Sequence, residues 1–93
     1  MLAIVAKLKA QPGKGSELAQ AMVGIAEKVR TEPGNHAYQV HQSSEDSDLV
    51  MIYEQYTDKD ALGAHRENMK SMGVDLSALL AGRPELEYFD LKG

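Results

Sequence analysis

The chain has 93 residues, a length that predicts one domain, residues 1–93, with a thin hydrophobic core. Hydrophobic residues make up 43% and charged residues 26%, a composition that excludes intrinsic disorder. The net charge of −4 argues against nucleic acid as a partner, and the absence of cysteine excludes disulfides and thiolate metal sites.

The first segment, residues 2–10, alternates apolar side chains with Lys7 and Lys9 and predicts a β-strand rather than a signal peptide. No stretch approaches the ~18 apolar residues that a membrane-spanning helix needs, so we expect a cytoplasmic protein without membrane association. After the turn at 11–15, the apolar spacing predicts a helix that Ser16 caps and that ends near residues 32–34.

Two further strands are predicted at residues 36–43 and 48–57, joined by a polar turn that is typical of a β-hairpin. The second of these strands carries large side chains at both its odd and its even positions, which point to opposite faces of the sheet. Both faces therefore need to be covered. Because the predicted helices cover only one face, we expect a second copy of the chain to cover the other in a homodimer.

Asp58 is predicted to cap a second helix through Asn68, and a looser helical segment is predicted at 76–80. Alternation over residues 85–91 predicts the last strand. The order is strand, helix, strand, strand, helix, strand, which predicts an α+β, ferredoxin-like βαββαβ fold with an antiparallel sheet.

Four segments in chain order resemble one known family. They are Thr31-Glu-Pro-Gly-Asn35, Tyr53-Glu-Gln-Tyr56, Ala61-Leu-Gly-Ala-His65-Arg66 and Leu79-Leu-Ala-Gly-Arg-Pro84. Together they resemble the antibiotic biosynthesis monooxygenase domain family of dimeric α+β barrels. Members of that family include quinol and polyketide monooxygenases that use no cofactor. The resemblance extends from residue 2 to about residue 91.

The resemblance implies a homodimeric monooxygenase without cofactor or metal. Its implied substrates are O2 and an aromatic, quinol-like or polyketide-like small molecule, bound in a cavity between sheet and helices. Two alternatives stay open because one fold supports several functions: an isomerase of a small carbonyl compound or sugar phosphate, and a ligand-binding stress-response protein without catalysis. The sequence departs from the family at Tyr56, where members usually carry Trp, at Ile52 and in the shorter segment 66–72.

His65 is the candidate catalytic residue. It follows Leu62 by three residues on the second predicted helix and matches the histidine of the family. A neutral imidazole accepts a proton near pH 7, which is the role that a cofactor-free oxygenase requires. The alternative is a structural histidine bonded to a backbone carbonyl.

Glu54 is the most informative of the candidate substrate-binding residues. It shares one strand face with Ile52 and Tyr56, and the resemblance implies that this face points toward the helices. A carboxylate among apolar neighbours is expected to be paired, here with Arg66 or Arg83, or to have a raised pKa, and we favour the ion pair. Tyr56 either lines the cavity or is a core aromatic with a bonded hydroxyl.

Tyr38, Asn35 and Arg66 complete the expected substrate-binding set. The resemblance places Asn35 near the mouth of the cavity, although a turn residue is also expected after a Pro-Gly pair. His36 and His41 lie five residues apart and face opposite sides of a regular strand, so a shared metal site is rejected.

Overall fold

The chain forms a four-stranded antiparallel sheet with two helices on one face, as described by a computed structural model that covers residues 1–93. The strands are β1 (Leu2–Lys9), β2 (Asn35–Gln42), β3 (Leu49–Tyr56) and β4 (Glu85–Asp90), and the helices are α1 (Gly15–Val29) and α2 (Lys59–Met72). The strand order is β2-β3-β1-β4, and every neighbouring pair is antiparallel. The predicted ferredoxin-like fold and its element order are confirmed.

The hydrophobic core lies between the helices and one face of the sheet. Side chains alternate along a strand, so every second residue of β3 points toward the helices. These residues are buried: Val50, Ile52, Glu54 and Tyr56. The stripe of α1 that packs on them is the apolar stripe of the sequence pattern: Leu18, Met22, Ile25, Ala26 and Val29.

The start of α1 differs from the prediction that Ser16 caps it. The helix begins at Gly15, and no local side chain provides the cap. Instead, the carboxylate of Asp48 accepts hydrogen bonds from the backbone N–H groups of Gly13, at 3.1 Å, and Gly15, at 3.0 Å. The free N–H groups of this helix end are thus bound from the β2–β3 connection, which lies more than 30 residues away along the chain.

Helix α2 begins as predicted, because the Asp58 side chain accepts a hydrogen bond from the backbone N–H of Ala61 at 2.9 Å. The helix continues past Asn68 and ends at Gly73, whose φ of +63° is left-handed. Neither helix has the length and apolar character that crossing a membrane requires.

The prediction of a looser helix at residues 76–80 is wrong. This segment is a turn, in which the N–H groups of Leu79 and Leu80 both donate to the carbonyl of Leu76. Leu80 also forms an isolated β-bridge with Ala10 beyond the end of β1. After the left-handed residue Gly73, pairing with the chain at the end of the central strand β1 replaces further helix.

Two glycines of α1 provide a matched test of the packing. A Cβ atom at Gly15 would overlap the backbone carbonyl of Ser47, whereas one at Gly24 would meet no atom within 4 Å. We expect Gly15→Ala to lower the free energy of unfolding by about 1–3 kcal/mol through overpacking. Gly24→Ala should raise it by up to about 1 kcal/mol because alanine favours the helix. Urea denaturation measures both changes, and a Gly15→Ala variant as stable as the wild type would contradict this close approach.

Candidate functional site

A mostly apolar cavity of about 250 Å³ lies between the helix-facing side of the sheet and α2. Its polar lining comes from four elements: Tyr38 of β2, Glu54 of β3, His65 and Arg66 of α2, and Tyr88 of β4. Apolar side chains form most of the remaining wall, among them Ile4, Met22, Ile52, Leu62, Met69 and Leu86. A few polar groups that converge on an apolar cavity are typical of a small-molecule site.

Glu54 is only 6% exposed, in the middle of the apolar face of β3. The hydroxyl of Tyr56 donates a hydrogen bond to its Oε1 atom at 2.8 Å. Burial raises the pKa of Glu54 to about 7, while the hydrogen bond from Tyr56 opposes the rise. Near neutral pH this carboxyl group therefore exists in both the protonated and the ionised form.

The prediction that Glu54 forms an ion pair with Arg66 or Arg83 is wrong. Arg66 lines the same cavity as Glu54, but no ion pair joins them: the nitrogen within 4.0 Å of the Glu54 carboxylate is Nε2 of His65. The guanidinium of Arg66 instead donates to the hydroxyl of Tyr88 on β4, at 3.0 Å. Arg83 is exposed before β4 and lies outside the lining of the cavity.

His65 is 7% exposed and is bound on one side by a carboxylate. Its Nδ1 atom lies 3.0 Å and 3.2 Å from the two carboxylate oxygens of Glu32. Its Nε2 atom lies 3.9 Å from Oε1 of Glu54, beyond hydrogen-bond distance. The partner of the imidazole is therefore a carboxylate and not the backbone carbonyl of the structural alternative.

Two tyrosines flank the imidazole of His65. The ring centroids of Tyr56 and Tyr38 lie 5.0 Å and 5.9 Å from that of His65. Tyr38 lines the cavity, whereas Tyr56 is fully buried behind Glu54 and lies outside the lining. Burial is the largest cause that raises the pKa of each tyrosine well above its ordinary value, so both hydroxyls stay neutral.

The structure thus brings His65, Glu54, Tyr38, Ile52 and Arg66 together around one cavity. Asn35 is apart from them: its side chain donates to the carbonyl of Ala37 at 2.9 Å within β2 and does not line the cavity.

The sequence patterns do not mark Glu32 as a site residue, because it lies at the predicted end of the first helix, before Pro33. Its carboxylate binds His65 and also accepts a hydrogen bond from Nδ2 of Asn68 at 2.7 Å. The one signal for it in the sequence is its place in the Thr31–Asn35 segment, the first of the four that resemble the family. No periodicity marks a loop carboxylate as the partner of a residue 33 positions away.

The sequence matches the family model described as antibiotic biosynthesis monooxygenase over residues 1–70. The chain belongs to the antibiotic biosynthesis monooxygenase family. Glu32, Tyr38, Glu54 and His65 all lie within the match, whereas the cavity wall from residues 76–88 lies outside it. No curated protein sequence matches the chain.

Solved structures of similar proteins have the same fold. A Caulobacter crescentus protein provisionally named an antibiotic biosynthesis monooxygenase is 33% identical, with a TM-score of 0.86, and the alignment covers 99% of this chain and 90% of that one. A Pseudomonas aeruginosa protein is 26% identical, with a TM-score of 0.86 and coverage of 99% and 94%. A conserved protein from Methanosarcina mazei is 25% identical, with a TM-score of 0.85 and coverage of 98% and 92%.

The buried carboxyl of Glu54 makes stability depend on pH. Its pKa is about 7 in the folded chain against an ordinary value of 4.5. Its contribution to folding is therefore complete below pH 4.5 and is lost as the pH rises through 7. Relative to Glu54→Gln, the wild type should lose about 2–3 kcal/mol of unfolding free energy between pH 5 and pH 8. Urea denaturation of both proteins at both pH values measures this change, and parallel pH profiles would contradict the buried, protonatable carboxyl.

Proposed function

We propose that the protein is a cofactor-independent monooxygenase of an aromatic, quinol-like or polyketide-like small molecule. The observation that carries the proposal is the position of His65, whose imidazole lines an apolar cavity and is bound by a carboxylate on its other side. Membership of the antibiotic biosynthesis monooxygenase family supports the reaction class. We further propose that residues 1–93 act as a single domain. Its cytoplasmic location stays a prediction from the sequence.

The reaction requires a base and a dry site. His65 takes the proton of a phenolic hydroxyl, and the electron-rich phenolate passes one electron to O2. The resulting radical and superoxide combine at a ring carbon, and the peroxide anion takes the proton back from His65 to form a hydroperoxide. Loss of water from that hydroperoxide leaves the quinone, so that one oxygen atom enters the product and the other leaves as water. The apolar wall excludes bulk water, which would otherwise solvate the phenolate and protonate the intermediates.

The other lining residues take supporting roles in this proposal. Ile52 and Tyr38 shape the space beside His65, and the Tyr38 hydroxyl offers a neutral hydrogen bond to a substrate oxygen. Glu54 binds a substrate hydroxyl or returns a proton, since its pKa of about 7 makes both forms available. Arg66 lies where the cavity adjoins an outer groove of about 430 Å³ and binds a polar end of the substrate.

The catalytic role of His65 is tested with His65→Asn. The shorter amide still reaches toward Glu32 through its NH2 group but has no basic nitrogen. We expect oxygen uptake with a panel of hydroquinones and hydroxylated polyketides to fall about 10²–10⁴-fold, with a nearly unchanged melting temperature. His36→Ala, at an exposed histidine bonded to Thr57, is the matched control and should leave uptake unchanged. Wild-type uptake by His65→Asn would remove the proposed base.

A second candidate function, an isomerase of small carbonyl compounds, is favoured by one observation. Two proton-carrying groups, His65 and Glu54, lie 3.9 Å apart on the same cavity wall. Enolisation needs one group to remove a proton and another to deliver it. Proton exchange from a carbonyl substrate into D2O, in the absence of any oxygen uptake, would favour this function over the monooxygenase.

We propose that the chain is a homodimer whose sheets pack against each other through the face that carries no helix. That face holds the half-buried side chains of Val5, Met51 and Tyr53 and the half-exposed ring of Phe89. Val5 and Tyr53 are directly paired neighbours in the sheet, so the apolar surface is continuous across β1 and β3. Apolar surface of this kind is stabilised when a second sheet covers it.

Sedimentation at micromolar concentration tests the dimer. We expect a mass of twice 10.2 kDa for the wild type. Val5→Lys should shift the protein toward the monomer because a charge would be buried between the sheets. Val23→Lys, on the exposed surface of α1, is the matched control and should leave the mass unchanged. A wild type that sediments as a monomer would overturn the proposal.

A further inference from the structure

Glu32 lies behind the imidazole of His65 as seen from the cavity. It belongs to the connection between α1 and β2 and does not line the cavity. Its two carboxylate oxygens lie 3.0 Å and 3.2 Å from Nδ1 of His65, and Nδ2 of Asn68 donates to one of them at 2.7 Å. Asn68 follows His65 by three residues on α2, so the helix presents two donors to one carboxylate.

We propose that Glu32 is a positioning residue that holds the proton of neutral His65 on Nδ1 and so leaves Nε2 as the proton acceptor in the cavity. The inference rests on the proposed function, because it matters for catalysis only if His65 is the base. A carboxylate has only acceptors to offer, and Asn68 already donates to it, so Nδ1 of His65 must be the second donor. The second nitrogen of a neutral imidazole then carries no proton.

No other group near the ring competes for this assignment. Glu54 lies 3.9 Å from Nε2, too far for a hydrogen bond, and its nearer oxygen accepts from Tyr56. The hydroxyl of Tyr38 is neutral, and the guanidinium of Arg66 is bonded to Tyr88. Glu32 is thus the one charged partner within hydrogen-bond distance of the imidazole, which is also where the orienting carboxylate stands in other histidine bases.

Glu32 also lines a second, more polar cleft, which lies on a different face of α2 from the apolar cavity. This cleft, of about 610 Å³, lies between the α1–β2 connection and the helix, and Asp60 and Asn68 contribute to its lining. The Glu32–His65 pair therefore separates the apolar cavity from the polar cleft. A small carboxylate that enters the cleft can reach the position of a truncated Glu32 side chain without passing through the substrate cavity.

The tautomer of His65 is measurable without any substrate. In ¹⁵N NMR of the wild type at a pH where His65 is neutral, we expect the proton on Nδ1. Glu32→Ala should lose this preference, whereas Asp60→Ala, a variant in the same cleft that does not contact His65, should keep it. Formate should restore the Nδ1 proton in Glu32→Ala. A wild-type His65 protonated on Nε2, or a Glu32→Ala variant that keeps the Nδ1 proton, would overturn the proposal.

Turnover provides the second readout. Glu32→Ala should lower kcat about 10²–10⁴-fold with little change in KM, because Glu32 has no contact with the cavity. Formate should raise kcat together with the recovery of the tautomer. Loss of the Nδ1 proton with full wild-type kcat would contradict the positioning role. Failure of the proposed function is distinguishable, since it would appear as normal turnover in His65→Asn.

Discussion

The site depends on one constraint, the burial of the Glu54 carboxyl within the apolar face of the sheet. A buried carboxylate without partners is strongly unfavourable, so the protein must bind it or keep it protonated. The hydroxyl of Tyr56 bonds it, and burial raises its pKa. A polar residue of α2, His65, lies opposite, with its Nε2 atom 3.9 Å from Oε1 of the carboxyl group. Every fully buried side-chain nitrogen and oxygen has a hydrogen-bond partner, so the polar atoms without one are those that reach the cavity or the solvent.

The position of α2 is fixed by the connection between α1 and β2. Gly34 lies so close to Ala61 that a side chain at residue 34 would overlap the helix, and the backbone N–H of Thr57 donates to the Gly34 carbonyl at 3.0 Å. Two residues earlier, Glu32 binds His65. The segments 31–35 and 61–66, which lie far apart in the sequence and both resemble the family, are therefore in contact. Together they set the position and the orientation of the imidazole.

Local patterns predict most of this fold because the alternation of the strands, the stripe of α1 and the cap at Asp58 act within a few residues. The sequence predictions fail where a group that is distant along the chain determines the local structure. Asp48 replaces Ser16 as the partner of the α1 N-terminus, and pairing with the end of the central strand β1 replaces helix at 76–80. The site was partly predictable: strand alternation groups Glu54 with Ile52 and Tyr56, and the resemblance to the family implied both the direction of that face and the choice of His65. The partner of His65 comes from a loop, where no periodicity applies.

The cavity has two walls with different physical constraints. The wall of His65, Glu54 and Tyr38 is buried and contains the hydrogen bonds of Tyr56 to Glu54 and of His65 to Glu32, so a substitution there disrupts several interactions at once. The opposite wall includes Leu86 and Tyr88 of the edge strand β4, which are 48% and 47% exposed. A substitution at a half-exposed edge position changes the shape of the cavity at a small cost in stability. In the proposed function, the groups that would handle protons are thus separated from the half-exposed surface that would fit the substrate, so the shape of the cavity can change without disruption of the polar cluster.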